Sequence, residues 1–538
     1  MGLGACVALI VGACVGSAIF SVSGVTVYYA GASAVVSWLL AAVIYFAYGL
    51  VVISLARRFP RSGGIYLFPK RAIGGRAGTM LGFVSGWGYV VGNVIAIAFS
   101  AICMGAYLRA GFPGLGSGTL TAVAACILAL AVLLGGGRLT QSVQATLVAL
   151  LVCTMGIYCG TALLGGEFDL SAFGNFFTSG SRGASGFAAS IPLAMVAYGG
   201  CVAVAFVADE VENPRKTLPG ALVIGLGIVS LLYALTIFSI VGTLPHEVLE
   251  TKPESRLIPL FASVSDGSLA SFPWLTKVIS LCVSVALLST IIALLRVNSR
   301  AVQTMSREGL LPEFLHRQTK GGVPVAALAA LFVLAVALCL FPQGTERMIS
   351  LGAVLNVVSI IITCTALAVC TKKKFFPIAV ALVLCLCLVP GLFSSGSLIW
   401  IFTLGVYAAG AAVFFLCRRR GRMRISGTVI HGKGKGKLYG MPTANLRPYS
   451  GEILPEFGVW ATDVILDGRE HRAITNVGLR PSVDDSPEVT VETMILDYEG
   501  DIYGKEMTVI FRKYIRETRK FANLTELKSQ IEKDILVF

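Results

Sequence analysis

Residues 427–445 read GTVIHGKGKGKLYGMPTAN and begin ten residues after Cys417, where the last membrane-length apolar run ends. Glycine and lysine alternate between Gly432 and Lys437, and the stretch closes on Pro442-Thr443-Ala444-Asn445. Glycine lets a backbone approach phosphate closely and lysine supplies positive charge, but the alternation taken alone favours a flexible basic turn after a strand. The hydroxyl and the amide of Thr443 and Asn445, two residues apart, shift the interpretation towards a phosphate and Mg²⁺ site. A polar part therefore begins where an apolar part ends.

The composition divides the chain at the same place. Hydrophobic residues make up 56% of the 538 residues and charged residues 13%, whereas a soluble globular protein has about 25% charged residues. Residues 1–417 contain many apolar runs of roughly 20 residues, each long enough to cross about 30 Å of hydrocarbon. Residues 418–538 contain none. The sequence predicts a polytopic all-α membrane protein in residues 1–417, a short basic linker in 418–424, and one soluble domain in 425–538.

The apolar runs predict twelve transmembrane helices within the lipid bilayer. Positive charge in short loops marks the cytoplasmic side, and Lys and Arg concentrate in the loops 57–76, 300–320 and 372–374. An even number of spans then places both termini in the cytoplasm, in a bacterial-type plasma membrane. The predicted spans are 4–29, 32–55, 81–108, 119–135, 143–164, 187–208, 220–243, 275–297, 323–341, 347–370, 376–392 and 397–417.

The net charge of +14 does not indicate nucleic-acid binding, because these loop residues account for much of it. The fourteen cysteines are scattered, mostly within apolar runs, and their spacing is typical of neither a disulfide framework nor a metal site. We therefore expect them to be small buried side chains.

Two predicted spans are interrupted by glycine. Gly16-Ser17-Ala18-Ile19-Phe20 lies in the first span and Tyr198-Gly199-Gly200-Cys201 lies in the sixth. Backbone that unwinds in a membrane must face protein or a water-filled cavity. Breaks five spans apart are typical of an inverted repeat of five helices plus five, with substrate bound at the breaks. The alternative interpretation is that these glycines only let helices pack closely.

Five short motifs occur in one order along the membrane part. They are the first break, the loop 56–66, the segment 82–87, DEVENPRKT at 209–217, and the segment 299–312. In these motifs residues 1–417 resemble the amino acid–polyamine–organocation permease superfamily. The resemblance implies the leucine-transporter-type fold, with substrate held by free backbone groups near Gly16, Ser17, Ala18, Ile19, Tyr198, Gly199 and Gly200.

The departures from that family bear on the substrate. Ala18 replaces a usual glycine, Val202 stands where many members carry glutamate, and residues 146–158 of the fifth span lack lysine. Ionisable groups inside a membrane are costly and are usually kept for function, so their absence favours a larger, neutral, aromatic substrate, although it also fits a neutral amino acid. Candidate hydrogen-bonding groups are Tyr89, Asn93, Tyr198 and Ser289.

Apolar alternation in the soluble part predicts strands near 425–431, 458–466, 470–477, 489–496 and 505–512. Asn523, followed by Glu526, predicts the start of a terminal helix. These elements predict a small closed β-barrel with one appended helix.

The soluble part resembles the flavokinase (riboflavin kinase) family over residues 425–534. The resemblance rests on the opening stretch and on VETMILDYEGDIYG at 491–504. It implies ATP and Mg²⁺ as cofactors and FMN as the product. It further implies a catalytic Glu492, a metal site at Thr443 and Asn445, and nucleotide or flavin contacts at Gly432, Gly434, Gly436, Lys437, Thr443, Asn445 and Arg516.

The fusion suggests that riboflavin enters through the membrane part and is trapped as FMN by the kinase. Two alternatives are an amino acid permease that carries an independent riboflavin kinase, and a flavin-sensing domain that regulates transport.

Overall fold

The computed structural model describes the chain except residues 17, 60–63, 166–167, 273, 320–321, 341–344, 372–373, 394–396, 419–422, 431–442, 449–454, 456, 468, 481–487, 497, 499, 501, 520–523 and 537–538. The backbone divides into two compact units. The first contains Met1–Gln303 and Arg317–Ala412, and the second contains Thr304–His316 and Val413–Phe538.

The first unit is helical, and helix is present in every range that the sequence predicts to span the membrane. The helices are α1 Leu3–Cys14, α2 Ser23–Ala30, α3 Ala34–Arg58, α4 Gly64–Ile73, α5 Gly75–Gly111, α6 Gly118–Leu134, α7 Gly137–Leu164, α8 Ala184–Val196, α9 Pro214–Thr243, α10 His246–Thr251, α11 Pro259–Ser265, α12 Trp274–Arg307, α13 Val325–Leu340, α14 Thr345–Cys370, α15 Phe375–Phe393 and α16 Ser397–Arg418. The last residues of α12 and α16 belong to the second unit.

Length and apolarity confirm a multi-pass membrane protein. Among the described residues, seven helical segments are long and apolar enough to cross a bilayer, and the first of them, Leu3–Arg58, has the length of two spans. Four shorter apolar helices lie at Gly118–Leu134, Val325–Leu340, Val354–Cys370 and Phe375–Cys387. The count of twelve crossings and the five-plus-five repeat stay predictions.

Both glycine-rich interruptions are visible in the backbone. The helix α1 ends at Cys14, a π-helical turn covers Ala18–Val22, and α2 follows. The helix α8 ends at Val196, and a 3₁₀ helix covers Gly199–Glu210. Both conformations are unusual, since 3₁₀ runs are normally three or four residues long and π turns often mark functional sites.

The polar part of the second unit is a closed six-stranded barrel. Its strands are β1 Met423–Ile430, β2 Ala444–Pro448, β3 Gly458–Leu466, β4 Arg469–Arg480, β5 Glu488–Ile495 and β6 Glu506–Arg516. They are joined in the order β1-β2-β5-β4-β3-β6, and every pair is antiparallel. The predicted barrel is therefore confirmed, with β2 as a strand that the sequence did not resolve.

Alternating residues fill the barrel. Its core includes Ile425, Val464, Val477 and Val509, each at most 1% exposed. The terminal helix α17 spans Leu524–Ile535. Its predicted cap, Asn523, lies outside the described residues.

Candidate functional site

The two helix breaks of the first unit lie against each other. A Cβ at Gly200 would overlap the backbone of Ala13 and Cys14, so glycine is what allows the close approach. The thiol of Cys14 lies 3.8 Å from the carbonyl oxygen of Tyr198. The two interruptions predicted from the sequence therefore lie in contact with each other.

Side-chain hydroxyls from three other helices satisfy several carbonyl groups at the breaks. Tyr107 Oη on α5 donates to Phe20 over 2.6 Å, and Tyr233 Oη on α9 donates to Cys14 over 2.6 Å. Thr290 Oγ1 on α12 lies 3.0 Å from the carbonyl oxygens of both Gly12 and Val15. Because an unsatisfied buried carbonyl is costly, these hydroxyls stabilise the broken conformation.

A cavity of about 90 Å³ lies at the two helix breaks. Of the predicted transport residues, it is lined by Gly16, Ala18, Tyr89, Asn93, Gly199 and Gly200. Ile19 and Tyr198 are both buried but are not among the lining residues, and Ser17 lies outside the described residues. Ser289 is also buried and accepts a hydrogen bond of 2.7 Å from Gln144.

The structure adds cavity residues that the sequence reading missed. Tyr45 and Tyr48 come from α3, and Asn356 and Ser359 come from α14. The tyrosine pair follows the three-residue spacing of one helix face, but nothing local in the sequence distinguishes that face from ordinary core. None of the described lining residues is Asp, Glu, Lys, Arg or His, and most are apolar, so the cavity is uncharged and largely apolar, with a few hydroxyl and amide groups.

The second unit places Glu492 between two asparagines. Glu492 on β5 is the cross-strand partner of Asn445 on β2 and of Asn476 on β4. All three are partly exposed, whereas their sequence neighbours Ala444, Val491 and Val477 are buried. Since successive strand residues point to opposite faces, the three polar side chains share the outer face of the barrel. This is a carboxylate flanked by two carboxamides.

Thr443 and Asn445 fit a magnesium site. Thr443 is partly exposed, Ala444 is 5% exposed and Asn445 is partly exposed, so the hydroxyl and the amide lie on the same side of the chain. Mg²⁺ prefers oxygen ligands and takes few of them from protein. Gly432, Gly434, Gly436 and Lys437 lie outside the described residues, and their predicted phosphate contacts stay a prediction.

Arg516 has a protein partner. Its guanidinium Nε lies 3.1 Å from both carboxylate oxygens of Asp534 on α17, and Nη2 lies 2.7 Å from Oδ2. Asp534 is 2% exposed and also accepts a bond of 2.9 Å from Gln530. Arg516 therefore anchors the terminal helix to β6, and its contact with flavin or nucleotide stays a prediction.

Comparison with known proteins covers both parts. Residues 2–420 match the family model described as amino acid permease. The chain belongs to the amino acid permease family. An uncharacterized transporter of Mycobacterium tuberculosis is 28% identical over 345 residues, which are 61% of this chain and 73% of that protein.

Residues 420–538 of this permease-family chain match the family model described as riboflavin kinase. The bifunctional riboflavin kinase/FMN adenylyltransferase of Pseudomonas fluorescens is 37% identical over 130 residues, 24% of this chain and 42% of that enzyme. The Escherichia coli K12 enzyme of the same name is 40% identical over 113 residues, 21% of this chain and 36% of that enzyme. The chain thus spans less than half of these relatives, and their similarity supports riboflavin kinase activity in the C-terminal domain.

Proposed function

We propose that the chain imports riboflavin and converts it to FMN with ATP and Mg²⁺, so that uptake is followed by trapping. One observation carries this proposal: a permease and a riboflavin kinase domain share a single chain. The uncharged cavity at the breaks supports a neutral substrate, and riboflavin is the neutral substrate that the attached enzyme would consume.

In the kinase domain, Glu492 acts as the general base. Its carboxylate orients the ribityl 5′-hydroxyl and accepts its proton as the oxygen forms a bond to the γ-phosphorus. The bond from that phosphorus to the bridging oxygen breaks, and ADP leaves. Thr443 and Asn445 would hold Mg²⁺, which, when bound with ATP, neutralises phosphate charge.

In the membrane part, the proposal places substrate at the two breaks. Twelve crossings arranged as two inverted sets of five helices, followed by two more, would bring the first and sixth spans together at the centre of the membrane. Both termini would be cytoplasmic in the plasma membrane, where ATP and Mg²⁺ are available. The close approach of Gly200 to Ala13 supports this arrangement.

Phosphorylation makes the uptake effectively one-way. A phosphate adds about −1.5 to −2 charges at pH 7, and an uncharged cavity would bind such a product poorly. Net uptake then needs no coupling ion. Only residues 419–422 separate the end of α16 from the start of β1, and a chain extends at most about 3.5 Å per residue, which keeps the enzyme close to the membrane and raises its effective concentration there.

The test is uptake of radiolabelled riboflavin into proteoliposomes that contain ATP and Mg²⁺. The proposal predicts accumulation of labelled FMN inside, and the Glu492→Gln variant should let riboflavin only equilibrate. Absence of riboflavin entry under conditions where alanine is transported would refute the import proposal and leave the kinase activity standing.

A second candidate is a permease for small neutral amino acids that carries an independent kinase. The cavity volume of about 90 Å³ favours it, because that space suits a small substrate better than a three-ring vitamin. Competition by twenty unlabelled amino acids in the same assay separates the two candidates. Inhibition by an amino acid, with no riboflavin entry, would favour this second function.

A further inference from the structure

Asn476 lies beside the candidate base, on the side away from the candidate metal ligands. It is the β4 partner of Glu492, whereas Asn445 is the β2 partner. Opposed residues of an antiparallel pair have Cβ atoms about 5 Å apart, so the carboxamide and the carboxylate are neighbours on one face, although no hydrogen bond joins these two described side chains in the structure.

A second contact fixes the orientation of the Asn476 amide. Thr518, in the segment after β6, donates a hydrogen bond of 3.0 Å from Oγ1 to Asn476 Oδ1. Since a carboxamide has one acceptor oxygen and one NH₂ donor, engagement of the oxygen leaves the NH₂ group to donate elsewhere. The residue thus joins the outer face of β4 to the segment that follows the anchored Arg516.

Buried threonine hydroxyls inside the barrel hold β3, β4 and β5 in register. Thr475 and Thr493, which immediately adjoin Asn476 and Glu492, are cross-strand partners whose hydroxyls lie 3.0 Å apart. Thr462 on β3 lies 2.8 Å from Thr475 and donates to Ala473 over 3.0 Å. All three threonines are fully buried. A slip of β4 against β5 would break this series, so Asn476 stays opposite Glu492.

We propose that Asn476 is a positioning residue of the kinase site: its NH₂ group orients the Glu492 carboxylate, and Thr518 holds that amide in the donating orientation. This rests on the riboflavin kinase activity of the proposed function. The segment after β6 therefore acts on Glu492 through Asn476. When this segment moves, Asn476 is no longer held in place and the Glu492 carboxylate is less well oriented.

The test compares three substitutions in the purified full-length protein, with riboflavin and MgATP as substrates. Asn476→Ala removes the donor and the acceptor. Asn476→Asp keeps the side-chain shape and still accepts the hydrogen bond from Thr518, but it has no NH₂ group to donate to Glu492. Thr518→Val removes the hydrogen bond that fixes the orientation of the Asn476 amide. Thr490→Val is the matched control, since Thr490 also lies on the β4–β5 pair and bonds only a carbonyl, that of Gly478, at 3.5 Å.

A hydrogen bond to a charged group contributes enough to change a rate about 10- to 100-fold. We expect Asn476→Ala and Asn476→Asp to lower kcat by that factor, with KM for riboflavin changed less than about 3-fold. Thr518→Val should lower kcat less, and adding it to Asn476→Ala should have no further effect. Thr490→Val should resemble wild type.

A merely structural role gives a different result, because Asp can accept from Thr518 as Asn does. Wild-type kcat in Asn476→Asp would therefore overturn the inference. The comparison is made per folded protein, from the amplitude of urea unfolding, so a variant that folds poorly is still informative. If the wild type itself makes no FMN, the proposed kinase function fails, which is a separate outcome.

Discussion

The hydroxyl of Tyr233 donates a hydrogen bond of 2.6 Å to the carbonyl oxygen of Cys14 and lies 3.2 Å from that of Ala197. Cys14 ends α1 and Ala197 follows α8, so one side chain on α9 contacts both helix breaks. Its ring packs against Trp38 and Tyr198, each with centroids 5.1 Å away, and is fully buried. The two breaks are therefore joined by a hydroxyl that has little room to move.

Replacing Tyr233 by Phe should impair transport more than folding. The change removes the hydroxyl donor of the Cys14 carbonyl, which keeps the Gly16 N–H at 2.8 Å, so the lost hydrogen bond costs about 0.5–1.5 kcal/mol. We expect uptake of riboflavin, with alanine measured in parallel, to fall at least about tenfold, a loss equivalent to about 1.4 kcal/mol. The control is Tyr158→Phe, which removes an equally buried hydroxyl whose 3.1 Å bond goes to Ser263. Equal losses of uptake in both variants would contradict the specific role of Tyr233.

Two adjacent glycines should respond differently to alanine. A Cβ at Gly200 would overlap backbone of α1, which cannot move aside as a side chain can, whereas a Cβ at Gly199 meets no described atom within 4 Å. We therefore expect Gly200→Ala to abolish uptake and Gly199→Ala to retain most of it. Uptake per unit of membrane-inserted protein is the measurement. Substantial uptake by Gly200→Ala would mean that the breaks need not approach this closely.

Removing the base should stop FMN formation without unfolding the barrel. Glu492 is partly exposed, so the amide of Glu492→Gln fits without a cavity. General-base catalysis contributes about 10²–10⁴-fold, and kcat should fall by that factor. Glu532→Gln, at an exposed position on α17, is the control. If kcat is undiminished in Glu492→Gln, a group other than Glu492 accepts the proton of the substrate hydroxyl.

Removing the negative charge of the buried Asp534 should weaken the packing of the terminal helix α17 against the barrel. Asp534→Asn places an NH₂ group against the donors of Arg516 and Gln530, and loss of a buried charge partner costs about 3 kcal/mol. We expect a lower urea midpoint for loss of riboflavin kinase activity. Asp467→Asn breaks an exposed pair with Lys505, in which the side chains are 58% and 42% exposed, and should cost at most about 1 kcal/mol. Similar midpoints for the two variants would argue against this anchoring role.

His246 should make the first unit less stable in mild acid. Partial burial and the nearby Arg256 lower the pKa of His246 below 6.5, although Glu250 opposes this. The unfolded chain then binds a proton near pH 6.5 while the folded chain does not. Stability is therefore full above that pH and falls as the pH drops. The melting temperature between pH 5 and 8 should show this fall, and His246→Gln should reduce it; an unchanged profile would contradict the assignment.

The barrel could be predicted because five of its strands are at least eight residues long and rich in apolar and β-branched residues, and turn residues separate them. β3 lies where the pattern placed it, at Gly458–Leu466. β2 was missed because Ala444–Pro448 is only five residues long and ends in a proline, which is unfavourable inside a strand. The sequence nevertheless predicted that the side chains of Thr443 and Asn445 lie on the same side of the chain, because the two residues are two positions apart in an extended segment.

Long-range pairing could not be predicted. Asn476 faces Glu492 because of a register between strands joined by a long connection, and composition does not specify that register. Arg516 and Asp534 are eighteen residues apart, and only the packing of α17 brings them together. In the membrane part, glycine spacing revealed the breaks, but the contributions of Tyr45 and Asn356 depend on how separate helices pack.

The first strand of the barrel pairs with the last, since Met423 is the partner of Phe511 and Thr428 is the partner of Glu506. The ring of strands cannot close until the ribosome has released β6, long after every membrane helix has left the exit tunnel. Catalysis is thus acquired only after the membrane helices have been synthesised. FMN synthesis by this molecule therefore reports that translation has passed through the whole permease and into the last strand.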